Sequence, residues 1–428
     1  MAKNVGMDKF VVHGGRPLSG TVTVAGAKNS TLPILAACLL TDEPCVIEGA
    51  PHLEDVATMV RLLRSMGCTV TRAGRSITVR AAGRVANEAP YEIVRKMRAG
   101  YYVLGPLLGR RGTAKVSLPG GCAIGARPVD LHLRGVEALG ARIRLDHGYI
   151  EAECRRLRGA AVMLAGSNGP SVGATVNTMM AAVLARGRTV IESAACEPEV
   201  ADVAGFLNCM GAKVEGAGTS RIKIAGVKRL SGARYRPLPD RIEAGTLAVA
   251  AAITRGRVEI RNCVPAHLAA PIEVLRRAGF GVEPARRSLV VSGRDRPNSM
   301  GFTTSPYPGF PTDLQAQFMA LACLADGVSV IGESVFESRF MHAMELERMG
   351  GRISLKGNTA VVTGVERLSG AQVMASDLRA SAALVLAGLA ARGTTEVLRI
   401  YHLDRGYERL ERKLSLLGAK VERVKIQE

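Results

Sequence analysis

Leu414-Ser415-Leu416-Leu417-Gly418-Ala419-Lys420-Val421-Glu422-Arg423-Val424 runs from the end of a helix, through a glycine, into a short strand. Glycine at that place is the usual helix stop, because it enters the left-handed conformation without a Cβ clash. The phrase occurs five more times, as Leu63-Arg64-Ser65-Met66-Gly67, Val136-Glu137-Ala138-Leu139-Gly140, Leu207-Asn208-Cys209-Met210-Gly211, Leu275-Arg276-Arg277-Ala278-Gly279 and Leu346-Glu347-Arg348-Met349-Gly350. The glycines are 73, 71, 68, 71 and 68 residues apart. Self-similarity at a fixed period means one supersecondary unit used repeatedly, here six times.

Two further phrases keep step. One is a strand closed by a turn, as in Val362-Thr363-Gly364-Val365-Glu366-Arg367-Leu368-Ser369-Gly370. The other is an apolar helix followed by a β-rich strand, as in Leu247 to Ile253 and then Val258-Glu259-Ile260. Each unit therefore holds about four strands and two helices. One helix is apolar nearly all round and must be buried; the other is amphipathic and lies further out. Units this large group more readily into two domains of three than into a solenoid, an α/β architecture. The proline-bearing Tyr235-Arg236-Pro237-Leu238-Pro239-Asp240 marks the boundary between the third and fourth copies.

Composition excludes several classes. With 428 residues, 47% apolar, the chain can bury more than one core. Nine cysteines without a CxxC pair or a His/Cys cluster argue against a disulfide framework and against zinc. The first residues lack the apolar core of a signal peptide, and the longest apolar runs, 31–40 and 380–391, fall short of a membrane helix. A cytoplasmic protein without membrane insertion is expected. The net charge of +19 comes from cations scattered along the chain, with few aromatics for base stacking. That pattern favours an anionic small molecule over nucleic acid as the partner.

Polar residues open the buried helix of every unit: Lys28-Asn29, Arg95 to Arg98, Ser171-Val172-Gly173, Asp240 to Glu243, Asp313-Leu314-Gln315 and Asp377-Leu378-Arg379. Asp240 and Ser171 are ordinary caps. Lys28 and Arg98 are not, because a cation at a helix amino end opposes the dipole and needs an anion to offset the cost. A bound phosphate or carboxylate would supply one. Loops add Arg339 and Arg405, and Leu118-Pro119-Gly120-Gly121-Cys122-Ala123-Ile124-Gly125-Ala126-Arg127 hangs a thiol on a glycine-rich segment five residues before an arginine. Such a setting keeps a thiol exchangeable near neutral pH, whereas apolar burial makes it inert.

These phrases resemble the UDP-N-acetylglucosamine enolpyruvyl transferases. The resemblance runs from about Phe10 to Val424 and is carried by Gly26-Ala27-Lys28-Asn29, Pro119 to His132, Pro170 to Thr175, Phe310-Pro311-Thr312-Asp313-Leu314-Gln315-Ala316-Gln317, Glu337 to His342 and Asp404-Arg405-Gly406-Tyr407-Glu408-Arg409. It implies a two-domain inside-out α/β barrel of three βαβαββ units per domain, residues 21–236 forming one domain and 1–20 plus 237–428 the other, with the active site in the cleft between them. It also implies addition of the sugar 3-hydroxyl to C2 of phosphoenolpyruvate, followed by loss of phosphate, as the first committed step of peptidoglycan precursor synthesis. No metal or organic cofactor is implied. By resemblance Cys122 delivers the proton to C3, or adds covalently, and is the target of the epoxide fosfomycin. Asp313 receives or aligns the hydroxyl; Lys28, Asn29, Arg127 and Arg405 hold phosphoenolpyruvate; Asp377 orients Lys28 or the intermediate. The nucleotide sugar falls to Arg98, Arg127, Pro128, Val129, Asp130, Leu131, Gly169, Pro170, Ser171, Val172, Gly173, Asp313, Val335, Phe336, Arg339 and Arg379. Closure of the Cys122 loop would exclude water. The shikimate-pathway enolpyruvyl transferases, which share the fold, lack the cysteine loop. A catalytically silent relative would show a replaced catalytic position, and none is visible.

Overall fold

The six repeat glycines close helices as their spacing predicts: Gly67, Gly140, Gly211, Gly279, Gly350 and Gly418 all have φ between +91° and +97°. A computed structural model describes residues 8–118, 129–167, 169–336 and 338–426. Among the described residues the strands form six four-stranded sheets and one two-stranded ribbon.

The sheet of Gly301–Thr303, Val328–Gly332, Arg352–Lys356 and Thr359–Thr363 shows the common plan. Its first two strands pair in parallel across the helix Gln315–Ala322. Its last two form an antiparallel hairpin whose second strand returns beside Val328–Gly332. The parallel pair needs a crossover, which the buried helix supplies, and the hairpin needs only a turn.

Not every unit is contiguous, which the repeat spacing alone does not reveal. The sheet of Cys45–Ile47, Thr69–Ala73 and Ser76–Arg80 takes its outer parallel strand from Arg234–Tyr235. The sheet of Arg257–Arg261 takes Ser19–Thr23. Asp8–His13 lies between Thr394–Leu398 and Lys420–Lys425. The described chain accordingly divides into one unit of residues 26–118 and 129–238 and another of 8–25 and 239–426.

Each unit has its own core. In Arg241–Ile253 every residue from Ile242 onward is buried, and in Leu378–Ala390 everything from Arg379 to Leu389 is. Such helices cannot sit at a surface, since water would meet apolar side chains on every face. The outer helix Glu54–Ser65, by contrast, carries Glu54, Arg61 and Arg64 on its exposed side and buries Val56, Met59, Leu62 and Leu63. Among the described residues no helix is long and apolar enough to cross a membrane.

Candidate active site

Residues 8–25 and 239–426 bring together Asp313, Arg339 and Arg379. Asp313 lies in the 3-10 turn Thr312–Leu314 that opens the helix Gln315–Ala322. Its Oδ1 accepts from Arg339 Nη2 at 2.7 Å and its Oδ2 from Arg379 Nη2 at 2.8 Å. Both arginine side chains are 5% exposed and the aspartate side chain is 26% exposed. Burial alone would raise the Asp313 carboxyl, but the charges of Arg379 and Arg339 outweigh it and hold the group well below the usual carboxylate range. The reciprocal effect keeps Arg379 charged: burial disfavours its cation, and Asp313 more than compensates.

Arg379 also lies over the Tyr407 ring, 5.4 Å from its centroid. Tyr407 is buried, and its hydroxyl is 2.8 Å from Thr246 Oγ1. Gln317 Nε2 shares its two protons among that hydroxyl, Thr246 Oγ1 and the Asp313 carbonyl, at 3.0–3.1 Å. Asp377 is a helix cap, accepting from the Arg379 and Ala380 N–H groups at 2.8 and 3.1 Å through Oδ1. Arg405 ends the 3-10 segment Ile400–Arg405. A Cβ on the next residue, Gly406, would come within 2.6 Å of Leu378 Cδ2, so a side chain there would require the Leu378 side chain to shift. Burial first, and then the Arg405 charge, lower the nearby His402 from its ordinary value. Val335 and Phe336 follow the strand Val328–Gly332, with their N–H groups committed to Glu333.

The unit of residues 26–118 and 129–238 carries the other described candidates. Lys28 begins the helix Lys28–Ala37, with Asn29 half-buried beside it. Lys28 Nζ lies 3.3 Å from Asp55 Oδ2, both side chains nearly buried. This corrects one expectation: part of the anion that offsets Lys28 comes from the protein's own Asp55. Arg98 opens the 3-10 segment Arg98–Val103. Val129 precedes the helix Asp130–Ala138, where Asp130 is exposed and Leu131 buried. Gly169–Pro170 pairs with Ala165–Gly166, and Ser171 caps Val172–Ala182 by accepting from the Ala174 N–H at 3.2 Å. A Cβ on Gly173 would meet His132 Cε1 at 2.8 Å.

That histidine has a defined tautomer. Asn177 Oδ1 accepts from the Gly105 N–H, so its Nδ2 is the donor to the Tyr101 carbonyl and to His132 Nδ1, each at 3.0 Å. His132 therefore accepts at Nδ1 and carries its proton on Nε2. Burial, helped by Arg98, lowers it to about 4. Cys122, Arg127 and Pro128 lie outside the described residues.

Several supporting residues were not singled out by sequence: Asp55, His132, Asn177, Thr304, Thr312, Glu333 and Tyr407. Thr312, His132 and Tyr407 lie inside the quoted motifs, which is the only signal that pointed at them. The eight described cysteines are free; five are buried, Cys154 and Cys196 partly so, and Cys209 is exposed. Among the described residues no group of His, Cys, Asp and Glu is arranged to hold a metal ion.

Residues 12–414 match the EPSP synthase (3-phosphoshikimate 1-carboxyvinyltransferase) family. UDP-N-acetylglucosamine 1-carboxyvinyltransferase 2 of Carboxydothermus hydrogenoformans is 53% identical over 98% of this chain and all of that protein. UDP-N-acetylglucosamine 1-carboxyvinyltransferase of Anaeromyxobacter dehalogenans is 54% identical over 98% and 100%. Among solved structures, the enolpyruvyl transferase NikO from Streptomyces tendae aligns with a TM-score of 0.89 at 27% identity, covering 99% of this chain and all of that one. EPSP synthase from Acinetobacter baumannii, at 16% identity and a TM-score of 0.73 over 98% and 100%, shares the fold. The architecture is thus the two-domain inside-out α/β barrel of three βαβαββ units per domain. The chain belongs to the EPSP synthase family and, within it, to the UDP-N-acetylglucosamine 1-carboxyvinyltransferases.

Proposed function

We propose that the protein transfers the enolpyruvyl group of phosphoenolpyruvate to the 3-hydroxyl of UDP-N-acetylglucosamine, releasing phosphate, in the first committed step of peptidoglycan precursor synthesis in the cytoplasm. The relatives at 53–54% identity over nearly the whole chain support this reading of the reaction. The observation that carries it at the site is Asp313, an anion held between two buried arginines at the start of a buried helix.

In this reading the sugar hydroxyl passes its proton to Asp313 as its oxygen attacks C2 of phosphoenolpyruvate, and the departing phosphate later carries that proton away. A carboxylate oxygen accepts more than one hydrogen bond, so each oxygen retains capacity beyond its arginine. Cys122 delivers a proton to C3, which gives a tetrahedral ketal still bearing phosphate. Return of a C3 proton to the Cys122 thiolate and loss of the phosphate then leave the enol ether. Lys28, Asn29, Arg127 and Arg405 hold the phosphate and carboxylate and stabilise the charge that develops on them. Arg98, Arg127 to Leu131, Gly169 to Gly173, Val335, Phe336, Arg339 and Arg379 receive the nucleotide sugar. In this reading residues of both domains act on one substrate pair.

The chemistry is checked by running the reaction in deuterium oxide and analysing the product by mass spectrometry. An enol ether on the acceptor sugar with solvent deuterium at its methylene is expected. Pyruvate and phosphate with unmodified sugar would overturn the assignment.

A further inference from the structure

Glu333 is 2% exposed, and among the described residues no cation pairs with it. Four donors surround it instead. Its Oε1 accepts from Thr304 Oγ1 at 2.8 Å and from the N–H groups of Val335 and Phe336 at 2.8 and 3.0 Å. Its Oε2 accepts from Thr312 Oγ1 at 2.8 Å. Thr312 Oγ1 in turn accepts from Arg339 Nη1, also at 2.8 Å. A guanidinium can only donate, and a threonine hydroxyl has one proton. The direction of the chain is therefore fixed: Arg339 donates to Thr312, Thr312 donates to Glu333, and the second arm of Arg339 donates to Asp313 Oδ1.

We infer that Thr312 and Glu333 are positioning residues that set the plane of the Arg339 guanidinium and, through it, the direction in which Asp313 presents its carboxylate to the acceptor hydroxyl. The inference rests on the reaction proposed above. One carboxylate does two tasks here, because the same Glu333 that polarises Thr312 also fixes the Val335–Phe336 backbone at the nucleotide-sugar positions. A hydroxyl at 312 is needed, since it must accept and donate at once. Valine has the shape without either capability, and serine has both.

The test compares wild type, Thr312→Val and Thr312→Ser by steady-state kinetics and by nitrogen-15 NMR of the Arg339 guanidinium, assigned with Arg339→Lys. Thr312→Val is expected to lose roughly tenfold or more in kcat, as misplaced reacting groups do, with KM for phosphoenolpyruvate within about twofold. Thr312→Ser should recover most of that loss. Rotation of the Arg339 guanidinium should be slow in wild type and Thr312→Ser and faster in Thr312→Val. Should Thr312→Val not fold, Glu333→Gln carries the same expectation, because its amide places a donor against Thr312. Wild-type kcat in Thr312→Val, a Thr312→Ser variant no better than Thr312→Val, or unchanged Arg339 rotation would overturn the relay. Absence of UDP-N-acetylglucosamine-dependent turnover in wild type, with Arg339 responding as expected, would instead overturn the reaction and leave the relay standing.

Discussion

Asp313 and the two arginines that grip it constrain one another. Replacing Asp313 by Asn keeps the shape and removes the charge, leaving Arg339 and Arg379 buried without their anion. Breaking a buried pair from one side costs about 3–5 kcal/mol, so Asp313→Asn should lower the urea midpoint. Loss of the hydroxyl's acceptor should also reduce kcat by roughly 10²–10⁴. A variant with full kcat would exclude Asp313 from the chemistry. Its low-lying carboxyl also fixes a sign: the stabilisation is present above the ordinary aspartate range and is lost only as pH falls through the depressed folded value. Cys122 belongs at the same scale. Cys122→Ser should abolish time-dependent inactivation by fosfomycin, and persistent inactivation would refute its assignment.

At the scale of elements, the sequence is most legible where the backbone demands one residue type. The six helix-closing glycines all take positive φ because no other residue does so cheaply, and they mark the repeat without any knowledge of contacts. The apolar helices were equally readable, since an all-round apolar face has one possible environment. The strands Arg234–Tyr235, Ser19–Thr23 and Asp8–His13 were not assignable to their sheets, because pairing partners up to several hundred residues away leave no local trace. Within the site, the motifs led to Asp313, Arg339 and Arg379. The Asp55 partner of Lys28 and the Glu333 hub were missed because a carboxylate at a helix start or strand end reads as solvated until burial is known. Gly173 tests this level. A Cβ there overlaps the His132 ring, so Gly173→Ala should destabilise by about 1–3 kcal/mol. It should also raise KM for the nucleotide sugar more than KM for phosphoenolpyruvate. Equal effects on both would disconnect the Val172–Ala182 helix start from sugar binding.

Across the whole molecule, each unit buries a histidine that its surroundings keep neutral. Burial, then Arg98, lowers His132 to about 4 in one unit. Burial is also the main cause for His342 in the other, where Asp377 and Arg339 pull in opposite senses and the value is again about 4. An unfolded histidine titrates near 6.5, so acid protonates the unfolded chain first. Stability should be level above about pH 6.5 and should fall towards pH 4 by about 3 kcal/mol for each histidine. Urea midpoints across this range check it, with His132→Gln expected to flatten the slope and an unchanged slope contradicting the assignment to His132.

The identity of the acceptor decides the reaction. Phosphate release should be followed after mixing the protein with phosphoenolpyruvate and either UDP-N-acetylglucosamine or shikimate 3-phosphate, with Cys122→Ser alongside. Release that requires UDP-N-acetylglucosamine and fails in Cys122→Ser is the predicted result. Release with shikimate 3-phosphate instead, or with neither acceptor, would overturn the transfer to UDP-N-acetylglucosamine.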